Sequence, residues 1–112
     1  MSEASDDFRN LGPSAAVDDG NVVPFYLDDR KLRVSIARVG GALYAFDDLC
    51  TYDPCPLSSG LLEQVTLTCQ CHGCQFDIGS GAVLAGPATQ ALPVHEVVEA
   101  QGRIRLRLIQ NR

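Results

Sequence analysis

With 112 residues the chain can bury one modest core, and an apolar share of 46% is ordinary for that purpose. A net charge of −5 repels phosphates, which argues against a nucleic-acid partner and suits docking to a basic surface. No run of about 18 apolar residues is present to span a membrane. The acidic opening Met1-Ser2-Glu3-Ala4-Ser5-Asp6-Asp7 is unlike a signal peptide's basic start, so the expected compartment is the cytoplasm.

In chain order, a polar and flexible leader is expected over residues 1–19, followed by a single domain over residues 20–110. Val22 to Leu27 reads as a first strand, with Pro24 pointing to a sheet edge. Asp28-Asp29 makes a turn. Leu32, Val34, Ile36 and Arg38 then alternate with Arg33, Ser35, Ala37 and Val39, and Gly40-Gly41 supplies a tight hairpin into Ala42-Leu43-Tyr44-Ala45-Phe46. Val65 to Thr68 and Gln75 to Ile78 form a second hairpin, and Leu61-Leu62-Glu63 holds at most one helical turn. Pro93 to Val98 and Arg103 to Leu108 flank a Gln101-Gly102 turn, the second strand alternating Arg with Ile or Leu. Short strands punctuated by Gly, Pro and Asp predict an all-β fold, a small antiparallel sandwich or barrel.

All five cysteines fall in two loops between those strands, Cys50-Thr51-Tyr52-Asp53-Pro54-Cys55-Pro56 and Cys69-Gln70-Cys71-His72-Gly73-Cys74. In a reducing compartment, thiols clustered with an imidazole bind metal more often than they form disulfides. Soft donors on two loops one hairpin apart suit a transition metal or an iron–sulfur centre, because each loop contributes part of the ligand set. A structural zinc site is the alternative from another class, drawing on Cys50 or Cys55 with Cys69, His72 or Cys74. His95 reads as an ordinary, partly exposed strand residue. Arg103, Arg105 and Arg107 read as a solvated stripe, and Asp47 and Asp48 as turn caps. No Ser/His/Asp arrangement, phosphate loop or paired-carboxylate cleft supports independent catalysis.

These loops resemble those of the Rieske iron–sulfur family, whose first loop has the form C-x-H and whose second has the form C-x-x-H-G. Cys50, Cys69, His72 and Gly73 stand at family positions. The stretches Leu57 to Leu62 and Phe76 to Ala88 are similar to the family's linking and third loops. The resemblance runs from about Val22 to Leu108 and implies a two-loop cluster-binding subdomain over about residues 47–88. It implies a [2Fe-2S] cluster held by Cys50 and Cys69 as thiolates and His72 as one imidazole, and a Cys55–Cys71 disulfide clamping the loops. Two neutral imidazoles leave such a cluster less negative than an all-cysteine one, so it takes up an electron more readily.

One position departs: Tyr52 stands where the family places its first histidine ligand. Ligation as phenolate would add a negative charge, disfavouring reduction by roughly 4 kcal/mol, on the order of 170 mV, at about 4 Å and an effective dielectric near 20. Two further fates stay open: Cys55 or Cys74 acts as fourth ligand, or iron binds poorly and leaves a compromised, cluster-free loop. Cys74 and Phe76 stand where high-potential members carry a Ser hydroxyl and a Tyr. A thiol donates weakly and a phenyl ring not at all, so both lower the expected potential.

By resemblance the chain is a soluble Rieske-type ferredoxin rather than an enzyme. It would act as a monomer that carries single electrons from a flavin-dependent reductase to a terminal oxygenase. His72 and the tips around Pro54-Cys55-Pro56 and Gly86-Pro87 would form its docking edge. The small subunit of a reductase is the nearest alternative role.

Overall fold

The computed structural model describes residues 8–52 and 55–109. Among the described residues there are ten strands: β1 (Arg9–Pro13), β2 (Val22–Leu27), β3 (Leu32–Val39), β4 (Ala42–Asp47), β5 (Leu61–Glu63), β6 (Thr66–Thr68), β7 (Gln75–Asp77), β8 (Val83–Ala85), β9 (Val94–Ala100) and β10 (Arg103–Arg107). They form an antiparallel six-stranded sheet in the order β1-β10-β9-β4-β3-β2 and a four-stranded sheet in the order β5-β6-β7-β8. No helix among the described residues is long and apolar enough to cross a membrane.

The expected all-β architecture is what the chain adopts. The Gly40-Gly41 hairpin closes with both glycines at positive φ, +60° and +87°, and Val39 opposite Ala42. That geometry matches the right-handed twist of the flanking strands. β2, with its proline, lies at a sheet edge, where a missing N–H leaves no ladder bond unmade.

Three expectations need correction. Residues 9–13 of the expected leader form β1, which pairs with β10 and covers that edge of the large sheet. Leu61-Leu62-Glu63 is the strand β5, paired with β6, and a single 3-10 turn lies just before it at Leu57–Ser59. Simple alternation in β3 also gives way, since Val34, Ser35, Ile36 and Ala37 are all buried. The strand is covered on both faces, and a strand with two dry faces loses its polar row.

The two coverings are two cores. Val34, Ile36 and Ala45 face Val17, Leu27, Ile104 and Leu106 inside the large sheet. Ala37 and Phe46 turn the other way and pack with Leu57, Leu67, Phe76, Ile78 and Leu92, a cluster that also contains Cys50, Cys55, Cys69 and Cys74. The cysteine loops therefore rest on the back of the main sheet rather than projecting as a detached hairpin. Arg38 stands on the Val34/Ile36 row and ties the N-terminal segment down: Nε donates to the Val17 carbonyl at 2.7 Å and Nη2 to the Ser14 carbonyl at 3.0 Å.

Candidate metal centre

Each cysteine loop begins where a strand ladder runs out, and both close in the same way. The Cys50 amide donates to the Cys55 carbonyl at 3.1 Å, and the Cys69 amide donates to the Cys74 carbonyl at 2.8 Å. In both loops, then, the first and sixth residues are bound together, with Thr51 and Tyr52 lying between them in the first and residues 70–73 in the second. Outside these closures, Leu49 bridges Pro56 and the Leu57 amide donates to the Asp48 carbonyl at 2.6 Å in the first loop, while Thr68 pairs with Gln75 in the second. Thr51 Oγ1 donates to the Gln90 carbonyl at 2.7 Å and moors the first tip to the segment before β9.

Burial separates the donors into two tiers. Cys50, Cys69 and Cys74 carry free thiols and are buried, at 4%, 1% and 0% exposure. Tyr52, Cys71, His72 and Gly73 are exposed at the tips. The Tyr52 and His72 rings meet edge to face, centroids 5.1 Å apart and planes at 78°, a preferred aromatic arrangement. The sequence position of Tyr52 thus becomes a spatial one, beside His72 on the outer tier. Asp53 and Pro54 lie outside the described residues.

Cys55 and Cys71 are joined by a disulfide that links the two loops across 16 positions of sequence. Alkylation of the denatured chain without reductant is expected to label three of the five cysteines, and all five after reduction. Labelling of five without reductant would show the bridge absent. Because Cys55 is committed to this bridge, it is not available as a substitute ligand. The sulfurs of Cys55, Cys69 and Cys71 lie within 4.8 Å of one another, yet two of them are spent on the disulfide, so this trio does not make a zinc site.

A third loop completes the site. Gly86 has φ +93°, and a Cβ there would lie 2.6 Å from Cys74 Cα and 3.0 Å from the Gly73 carbonyl oxygen. The third loop therefore lies backbone to backbone against the second, which only glycine permits. Gly73, at φ +75° with open space around it, needs glycine only for the turn that follows His72.

Two residues differ from their sequence-based expectations. Asp48 is no simple turn cap: it is fully buried and accepts from Ser35 Oγ at 2.6 Å, the Ser58 amide at 2.7 Å and Ser58 Oγ at 3.2 Å, with Arg33 Nε at 2.6 Å. It fastens β3 to the return limb of the first loop. His95 is not partly exposed, its side chain being wholly buried. The Ile109 amide donates to Nδ1 at 3.2 Å, so the ring proton resides on Nε2 and donates to Asp47 at 2.7 Å. His95 is thus a structural link between β9 and β4 and no ligand. The only local hint of either role was the Asp47-Asp48 pair immediately before the loop. Arg103 and Arg105 are exposed as expected, while Arg107 pairs with Glu96 at 2.8 Å and lies over the Phe8 ring.

The donor set fits a two-iron cluster at three of four positions. Two buried thiols from separate loops suit the inner iron and one surface imidazole suits the outer. The fourth donor group is a phenol rather than an imidazole. Cys74 and Phe76 are both fully buried behind the second loop.

Comparison with known proteins gives a consistent picture. Residues 8–96 match the Rieske [2Fe-2S] domain. The chain is 30% identical over 103 residues to the ferredoxin component of the naphthalene 1,2-dioxygenase/salicylate 5-hydroxylase systems of Ralstonia sp, covering 89% of this chain and 97% of that protein. It is 31% identical over 86 residues to the ferredoxin component of the naphthalene 1,2-dioxygenase system of Pseudomonas aeruginosa, covering 76% and 81%. Among solved structures, the ferredoxin of Sphingomonas yanoikuyae B1 superposes with a TM-score of 0.82 at 27% identity, covering 88% of this chain and 96% of that one. A chain in the complex of reduced oxygenase and oxidized ferredoxin in carbazole 1,9a-dioxygenase shares the fold, with a TM-score of 0.86 at 24% identity and coverage of 95% and 97%.

Proposed function

The chain belongs to the Rieske [2Fe-2S] domain family, and we propose that it serves as the ferredoxin of a cytoplasmic oxygenase system, passing single electrons from a flavin-dependent reductase to a terminal oxygenase. The observation that carries this reading is the two-tier donor arrangement, buried Cys50 and Cys69 below and exposed His72 above, on a chain that spans nearly the whole length of a dioxygenase ferredoxin component.

The proposed ligands are Cys50, Cys69 and His72, with Tyr52 at the fourth place. A bound [2Fe-2S] cluster supplies a one-electron couple whose potential follows its ligands' charge and hydrogen bonds. The chain's own residues do the rest. Buried Cys50 and Cys69 lie away from water, which protects their thiolates from oxidation. The disulfide, the Thr51–Gln90 bond and the Asp48 network hold the loops rigid. His72 is the surface edge through which a partner receives the electron. Tyr52 packs against it and Gly86 lies against the neighbouring Gly73 and Cys74 backbone, both exposed and uncharged, which suits close docking. The overall charge of −5 would steer the chain to a basic face on each partner.

The test is anaerobic reconstitution followed by assay with a flavin-dependent reductase and a terminal oxygenase. A red-brown protein with equimolar iron and sulfide, required for oxygenase turnover, is the expected result. A colourless protein holding one zinc would refute it.

A further inference from the structure

We propose that Tyr52 is a cover and not a ligand, so that the outer iron keeps one exchangeable position, open to a small neutral nitrogen donor from solution. This rests on the cluster reading above and names what occupies its fourth place.

The first loop gives position 52 little room to adapt. Its closure by the Cys50 amide and Cys55 carbonyl, the Leu49–Pro56 bridge, the Thr51–Gln90 bond and the Cys55–Cys71 disulfide brackets Tyr52 on both sides. Within such a fixed loop, donor reach decides ligation. An imidazole offers a nitrogen beside the ring carbon that bears the side chain, whereas a phenol has its single oxygen at the far vertex. On the same backbone the oxygen lies a whole ring farther out, and the atoms near Cβ are carbons that bind no metal.

The ring's contacts point the same way. Tyr52 is packed edge to face with His72 at 5.1 Å, beside the imidazole, while remaining 51% exposed. It occupies the neighbourhood of a second imidazole without contributing a nitrogen. Among the described residues neither remaining loop cysteine on offer takes over. Cys55 is in the disulfide, and Cys74 is fully buried at the base of the second loop, its carbonyl bound by Cys69 and its backbone overlain by Gly86. Exposure of Cys71, His72 and Gly73 leaves a path from solvent. A neutral donor is favoured over an anion because the chain already carries a net charge of −5. Imidazole is the natural probe, being the donor that position 52 lacks.

The experiment compares the anaerobically reconstituted full chain with its Tyr52→Gly, Tyr52→Phe and Tyr52→His variants. The readout is nitrogen hyperfine coupling in the reduced state, with and without 15N-imidazole. The unmodified chain is expected to show one coupled protein nitrogen and to gain a second, labelled one on saturation with imidazole. Tyr52→Gly should bind imidazole about tenfold more tightly, since the covered state no longer competes. Tyr52→His should show two protein nitrogens and no response.

Phenolate vibrations in the resonance Raman spectrum, present in the unmodified chain and lost in Tyr52→Phe, would overturn the proposal in favour of ligation. So would indifference to imidazole in both the unmodified chain and Tyr52→Gly. Should only Tyr52→His take up iron and sulfide, both the open position and the ferredoxin role of the unmodified chain are refuted, whereas a loaded but imidazole-indifferent chain refutes the open position alone. Should none take them up, the cluster reading itself fails.

Discussion

Replacing Asp48 by alanine is expected to lower the unfolding free energy by about 2–4 kcal/mol, from hydrogen-bonding groups that lose a fully buried acceptor. The carboxylate is fully buried and its three neighbours come from two places in the sequence: Arg33 and Ser35 on β3, and Ser58 beyond the first loop. Alanine would leave the buried Ser35 hydroxyl and the half-buried Ser58 amide without an acceptor, at about 1–3 kcal/mol for the buried group and less for the other. Arg33, whose side chain is 43% exposed, can turn to water, so its pairing with Asp48 is the weaker part of the effect.

Urea titration at neutral pH measures this directly. Asp48→Asn keeps an acceptor oxygen and should fall between wild type and alanine. Because Asp48 fastens β3 to the first loop, the variant should also lose iron faster on incubation with a chelator, although Asp48 is no proposed ligand. A cost below about 1 kcal/mol, within the reach of an ordinary surface change, would show that the network is not holding the loop.

Gly86→Ala is the second large effect, expected at about 2–4 kcal/mol. One part is the strain of an L-residue at φ +93°, and the other is a Cβ thrust against the second loop. The atoms it would meet, Cys74 Cα and N and the Gly73 carbonyl oxygen, are all backbone. They cannot swing aside as a side-chain end can, so the third loop must lift. Gly73→Ala separates the two parts. It also sits at positive φ, +75°, but meets nothing within 4 Å, so it should cost only about 1–2 kcal/mol of backbone strain. Equal unfolding midpoints for the two variants would deny the close approach. A larger loss in Gly86→Ala, accompanied by new proteolytic cleavage near residues 70–75, would support it.

Much of the fold is local in origin and therefore readable from the chain alone. The paired glycines 40 and 41 permit one tight hairpin and no strong rival, and Ile104 and Leu106 alternating with Arg103, Arg105 and Arg107 mark a strand with one wet face. The spacing of Cys50, Cys69, His72 and Gly73 identified both the family and its cofactor. Tyr52 was equally visible as the departure, because a ligand position is a matter of residue type.

Other features depended on which distant segments came together. β1 was hidden because Arg9 to Pro13 has little strand character of its own and is ordered by pairing with β10. Leu61 to Glu63 is too short to declare its period, and pairing with Thr66 to Thr68 made it a strand. Asp48 and His95 are polar residues whose burial becomes tolerable only when partners 10 to 48 positions away supply hydrogen bonds. The sequence by itself determined the strand-and-loop order, the two cysteine loops and the kind of centre they serve, since these follow from side-chain chemistry and short-range sterics. Only the tertiary structure decided that β3 would be dry on both faces, that Asp48 would anchor the first loop, and that Tyr52 would lie against His72. Those outcomes depend on long-range packing, in which each group's environment is supplied by residues remote along the chain.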